Sequence, residues 1–132
     1  MNRLKFLYLW SVGVGAMDAI TGLLLIFAPA LVLKMLFIVA PPPETWVFLS
    51  WMGVFITGVG LSYGYVFKGA READVVWRIT ANIRLLVGAF LCWKIWAGDL
   101  APAWGLVACT DLLVAVGQLI VLKLGWWKGE RG

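Results

Sequence analysis

Three ionisable residues interrupt otherwise apolar runs: Asp18, Arg84 and Asp111. A charge deep in an apolar span costs roughly 2.5–3.5 kcal/mol on insertion scales, so each needs a physical reason to be there. Two carboxylates and one guanidinium offer two kinds of chemistry. In one, Arg84 is a salt-bridge staple, clamping one acid through a bidentate bond and reaching the other with a further bond. In the other, the surplus negative charge holds a proton or a cation, or anchors a polar ligand headgroup. Thr80, Asn82 and Gln118 are the supporting polar side chains, and Asn82, Thr110 and Gln118 are expected to hydrogen-bond between helices.

Most other chemistry is excluded by residue type. The chain has no histidine, which removes His-ligated zinc, bis-imidazole haem and Ser-His-Asp or Cys-His catalysis. Two cysteines, Cys92 and Cys109, are too few for a disulfide scaffold or for an iron–sulfur cluster within the chain. They form no Cys-x-x-Cys motif, and neither has an acid or base poised beside it. They read as small inert core residues. No metal and no cofactor is expected.

The charges must be positioned by helices in lipid. Of the 132 residues, 63% are hydrophobic and 14% charged. So small a domain cannot hide that many apolar side chains in its own core. The composition excludes a soluble globular domain, a disordered chain and a nucleic-acid-binding module. Four segments are long and apolar enough to cross a bilayer: about 6–27, 45–67, 75–97 and 101–122. The alternating ten-residue segments of a membrane β-barrel are absent. The expected fold is all-α: a four-transmembrane-helix antiparallel bundle, a single transmembrane domain over residues 1–132. A short interfacial helix or a kinked extension is expected after the first span, where Pro29 opens an apolar stretch ended by Pro41-Pro42-Pro43. Asp74 reads as the N-cap of the third span. Pro102 suits the first turn of the fourth.

At about 1.5 Å per residue, Asp18 and Asp111 each lie about 18 Å from the face bearing the termini, and Arg84 about 13 Å. A long guanidinium arm spans the difference, so the three converge near the midplane. Helical spacing agrees. Gly15, Asp18 and Gly22 share one stripe, Thr80, Arg84 and Gly88 a second, and Ala108, Asp111, Ala115 and Gln118 a third. Small neighbours around each charge mark faces where helices approach closely. Span two carries an uncharged stripe, Gly53, Thr57, Gly60 and Gly64, read as packing, with a dimer face as the competing use.

Orientation follows the basic residues. Eight (Arg3, Lys5, Lys68, Arg71, Arg78, Lys123, Lys128 and Arg131) fall on the side of the termini, and two (Lys34 and Lys94) on the other. That bias places both termini in the cytoplasm. Trp10, Trp77, Trp126 and Trp127 fall near one interface; Trp46, Trp93, Trp96 and Trp104 fall near the other and read as a headgroup belt. Trp93, Trp96 and Trp104 have an aromatic cage as a sharper alternative. The N-terminal run is too long for a cleaved signal and reads as a signal anchor.

The layout resembles the DoxX-like and neighbouring small four-helix bacterial membrane proteins. A first span closing Gly22-Leu-Leu-Leu-Ile-Phe-Ala-Pro29 leads to an apolar shelf. A Gly-rich second span follows, then a third with Arg78 and Arg84 around Ala81-Asn82, ending Trp96-Ala97-Gly98-Asp99, and a fourth with a central acid. The resemblance implies an inner-membrane protein, in some cases an accessory to an oxidoreductase, and carries over no catalytic residue. The first expectation is therefore a non-enzymatic accessory or binding subunit for a lipid, a quinone or a partner protein. The second is a proton-coupled transporter working as a homodimer through Asp18 and Asp111. The third is a membrane thiol oxidoreductase using Cys92 and Cys109.

Overall fold

The computed structural model describes residues 2–129. Arg131, counted above among the basic residues, lies outside them. The described residues form helices and turns and no strand. Six helices follow in order: α1 Arg3–Phe27, α2 Pro29–Met35, α3 Trp46–Ser62, α4 Ala70–Trp96, α5 Gly105–Lys123 and α6 Trp126–Gly129. Short 3-10 turns at Pro43–Thr45, Tyr63–Lys68 and Pro102–Trp104 extend or connect them. Four stretches are long and apolar enough to cross a membrane: Arg3–Phe27, Pro43–Lys68, Ala70–Trp96 and Pro102–Lys123.

Local sequence explains the boundaries. Asn2 caps α1, its Oδ1 accepting the Lys5 backbone N–H at 2.8 Å. The short helix expected after the first span is present as α2, with Pro29 in its first turn. The third long helix starts earlier than expected. Its cap is Gly69 (φ +154°), and Asp74 lies inside the helix. Ala70-Arg71-Glu72-Ala73 are good helix formers, and Glu72 puts an acid in the first turn. Asp74 instead pairs with Arg78 one turn on, at 3.1 Å.

The chain divides into two compact units. In the unit formed by Leu9–Gly64, α1 and α3 meet through glycines. A Cβ on Gly60 would lie 2.6 Å from the Gly15 carbonyl oxygen, and one on Gly53 would lie 2.5 Å from that of Gly22. Partner numbers fall on α3 as they rise on α1, so the two helices run in opposite directions. Ser50 Oγ, at 3.1 Å from the carbonyl oxygens of both Leu25 and Ile26, ties α3 to the end of α1. The expected packing stripe is thus real for Gly53, Thr57 and Gly60, whereas Gly64 faces open space.

The other unit holds residues 2–8 and 65–129. Here α4 lies against α5, and Gly88 lets Leu112 approach to where its own Cβ would be, 2.6 Å away. An aromatic cluster closes one end of this unit. Trp77 meets Trp127 edge-on at 5.4 Å, and Tyr8 stacks on Phe67 at 5.0 Å. Phe6 meets Trp126 at 5.9 Å, with the Arg3 guanidinium over the Trp126 ring. Trp77 and Trp127 are 0% and 2% exposed, so these two are core residues and not members of an interfacial belt.

Candidate functional site

The buried polar residues of α4 and α5 lie along one seam. Trp77, Thr80, Arg84 and Gly88 recur at three- and four-residue steps on α4, and Ala108, Asp111, Ala115 and Gln118 do so on α5. All of these except Asp111 are buried. Arg84 Nη1 donates to Asp111 Oδ1 at 2.7 Å, the length of a charge-assisted bond. The Arg84 side chain is 4% exposed and that of Asp111 17%, so the cation is the more deeply held partner. Toward the aromatic end, Gln118 Nε2 donates to the Trp77 carbonyl oxygen and to Thr80 Oγ1, each at 3.0 Å. Thr80 Oγ1 in turn donates to the Val76 carbonyl oxygen at 2.8 Å. Each donor in this chain of bonds meets an acceptor, which is what apolar surroundings demand of polar groups.

Arg84 and Asp111 are therefore brought together, and Gln118 bonds between helices as expected, with Thr80 as one of its acceptors. Asp18 belongs to the other unit. It is 8% exposed, on the α1 face that also carries Gly15 and Gly22. A Cβ on Gly60 would lie 3.0 Å from the Asp18 Cβ, so a glycine on α3 makes room for the acid.

Three expectations are corrected. Asn82 is exposed on α4, because the buried face of that helix runs through Thr80, Ala81, Arg84 and Gly88. Thr110 is exposed and satisfies itself within its own helix, bonding the Leu106 carbonyl oxygen at 2.8 Å. Cys92 and Cys109 are free and exposed rather than core residues: Cys109 sits off the inward stripe of α5, and Cys92 lies past Gly88, the last buried residue of α4. At the far end of α4, Trp93 pairs with Phe90 at 6.1 Å and lies under the Lys94 ammonium at 4.3 Å. Lys94 also bonds Asp99 at 3.2 Å. Its charge is spent on this corner of the fold.

Sequence reasoning missed the part played by Trp77. Its position three residues before Thr80 and seven before Arg84 was the available signal, because it shares their stripe. Trp127 gave no such signal, standing beyond the last long helix.

Against known proteins the result is brief. No family model, curated protein or solved structure matches this chain. Among the described residues, no group of three or more His, Cys, Asp or Glu side chains is placed to hold a metal ion.

Proposed function

We propose that this chain is a multi-pass membrane protein of the bacterial inner membrane. Its four long apolar helices insert as an antiparallel bundle with both termini in the cytoplasm. It acts as a non-enzymatic accessory or binding subunit for lipid, quinone or another membrane protein. The observation that carries this reading is the closed seam between α4 and α5. Arg84 and Asp111 bond at 2.7 Å, and Gln118 fills its acceptors on Trp77 and Thr80. Polar groups so matched hold helices together.

Further support comes from the surface and the connections. Large apolar side chains such as Ile20, Phe48, Trp51, Phe55, Leu86 and Leu113 stand exposed along the four long helices, as lipid contact requires. One residue, Gly69, separates the turn before α4 from α4 itself, which leaves little chain outside the bilayer for soluble chemistry. The basic residues lie eight to two on the side of the termini. The resemblance to DoxX-like proteins fits the same accessory role.

The test uses the full chain in two formats. Native mass spectrometry from lipid nanodiscs should show retained lipid, quinone or a protein partner. Proteoliposomes bearing a pH gradient should hold it as well as empty vesicles do. A proton leak abolished by Asp18→Asn or Asp111→Asn would replace this reading with the homodimeric transporter. A quinone-reducing or disulfide-forming activity lost in Cys92→Ser or Cys109→Ser would replace it with the thiol oxidoreductase.

A further inference from the structure

Three helices end in a left-handed residue whose N–H bonds back three residues, two of them with the complete two-bond turn, and one uses the wrong residue for it. In this motif the residue just past the cap takes a left-handed conformation. Its N–H bonds back three residues, and the next N–H bonds back five. After α4 that residue is Gly98 (φ +84°), with Gly98 N–H to Ile95 O at 3.1 Å and Asp99 N–H to Lys94 O at 2.9 Å. After α5 it is Gly125 (φ +69°), bonded to Leu122 O at 3.1 Å. After α2 it is Phe37 (φ +58°), with Phe37 N–H to Lys34 O at 3.1 Å and Ile38 N–H to Leu33 O at 2.9 Å. Glycine adopts this φ without strain, and a bulky aromatic does not. Phe37 is also 84% exposed, so no packing within the described residues compensates.

The neighbouring residues indicate what does. Val32, Leu33 and Ile38 are buried and anchor the segment to the protein. Leu31 and Met35 of α2 and Phe37 and Val39 beyond it point outward, so the segment is apolar on both sides. The exposed apolar surface continues onto Phe27 at the end of α1 and onto Val47, Phe48 and Trp51 at the start of α3. Within residues 28–43 the only charge is Lys34, which is exposed; the next charge is the exposed Glu44 in the turn that leads to α3. An apolar face edged by a cation fits the boundary between acyl chains and anionic headgroups, where the lysine arm reaches a phosphate. The return to α3 is tied down as well. Trp46 Nε1 donates to Pro41 O at 3.0 Å, and Thr45 Oγ1 donates to Pro42 O at 2.7 Å.

We propose that residues 28–39 form a lipid-binding shelf on the side of the membrane opposite the termini. Phe37 is its wedge, held out at the expense of backbone strain so that its ring enters the headgroup–acyl boundary. This inference rests on the membrane reading above, and its test separates the two. In a Cys92→Ser/Cys109→Ser background, an environment-sensitive fluorophore is placed at Phe37→Cys or, as a control in the middle of α5, at Leu113→Cys. Each protein is reconstituted in phosphatidylcholine–phosphatidylglycerol vesicles carrying nitroxide lipids labelled either near the headgroup or deep in the chain. The Phe37 site should emit to the blue and be quenched most by the shallow nitroxide, and the Leu113 site most by the deep one. Water-like emission at Phe37 with Leu113 quenched overturns the shelf and leaves the membrane reading standing. Blue emission at Phe37 without quenching by either lipid means that protein covers it, and also overturns the proposal. Water-like emission at both sites defeats the membrane reading beneath it. As a second measurement, Phe37→Gly keeps the turn and relieves the strain, so the chain still folds. A label at Val39→Cys should then lose shallow quenching, and unchanged quenching there refutes the wedge.

Discussion

The Gln118 side-chain amide reaches across from α5 to donate to the Trp77 carbonyl oxygen of α4 at 3.0 Å. A mid-helix carbonyl already serves its own helical ladder, so this second bond uses its remaining lone pair. The same Nε2 donates to Thr80 Oγ1. Interhelical bonds in membranes average about 0.6 kcal/mol in double-mutant cycles and reach about 1–2 kcal/mol in model peptides. Gln118→Leu, which keeps the bulk and removes both bonds, should therefore cost about 1–2 kcal/mol. Unfolding by SDS titration followed by circular dichroism measures it. Thr80→Val should cost less, because Gln118 keeps its bond to Trp77. Equal losses in the two variants would mean that the Trp77 bond contributes nothing.

Arg84 and Asp111 make a sharper case, because a charge left behind costs more than a pair removed. Breaking one half of a buried ion pair costs about 3–5 kcal/mol, whereas apolar replacement of both halves is often close to neutral. Arg84→Met leaves the Asp111 carboxylate without the guanidinium that meets it at 2.7 Å. The single variant should be the least stable of the series, and Arg84→Met/Asp111→Leu should recover a large part of the loss. Additive losses in the double-mutant cycle would show that the pair is not coupled. In the accessory reading, retained lipid or partner survives in the double variant.

The glycines of α1 and α3 divide into two groups with opposite expectations. A Cβ at Gly53 or Gly60 runs into carbonyl oxygens of α1 at 2.5 and 2.6 Å, and one at Gly22 meets the Thr57 hydroxyl and backbone. The helices would have to separate, so alanine at each of these three should cost about 1–3 kcal/mol. Gly13 and Gly58 have nothing within 4 Å of the added Cβ. Alanine at these two should be neutral or stabilising by up to about 1 kcal/mol, through helix propensity alone. Thermal unfolding in detergent separates the groups, and destabilisation by Gly58→Ala would point to a contact outside the chain.

The four long helices were legible in the sequence because hydropathy needs only a window about 20 residues long. The inward stripes were legible because small or polar residues every three or four positions mark faces where helices approach closely. That logic correctly placed Thr80, Arg84, Gly88, Ala108, Ala115 and Gln118 on buried faces and paired Arg84 with Asp111. It failed for Asn82, Thr110 and Cys109, where residue type was allowed to outweigh helical phase, and for Cys92, which lies past the last buried residue of α4. Asn82 is two positions from both Thr80 and Arg84, about 200° around the helix, which puts it on the opposite face. The start of α4 was misread because Asp74 is a common cap type. A run of helix formers behind a glycine at φ +154° begins the helix five residues sooner, at Ala70 in place of Val75. Phe37 was invisible, since nothing local announces an aromatic residue in a turn that favours glycine.

Trp127 supplies the last prediction. Its ring meets Trp77 edge-on at 5.4 Å and Tyr8 at 5.9 Å, and it is 2% exposed. Its indole N–H is buried with no hydrogen-bond partner among the described residues. A buried donor left unmade costs about 1–3 kcal/mol. Trp127→Phe removes that donor and keeps an aromatic edge against Trp77, so the lost area and the relieved penalty offset each other. The variant should unfold within about 1 kcal/mol of the native chain. Trp127→Ala opens the cluster and should cost about 3–5 kcal/mol. SDS unfolding of both variants beside the native chain distinguishes the contributions. A loss in Trp127→Phe as large as in Trp127→Ala would mean that the indole N–H has an acceptor, such as an ordered water, in the folded protein.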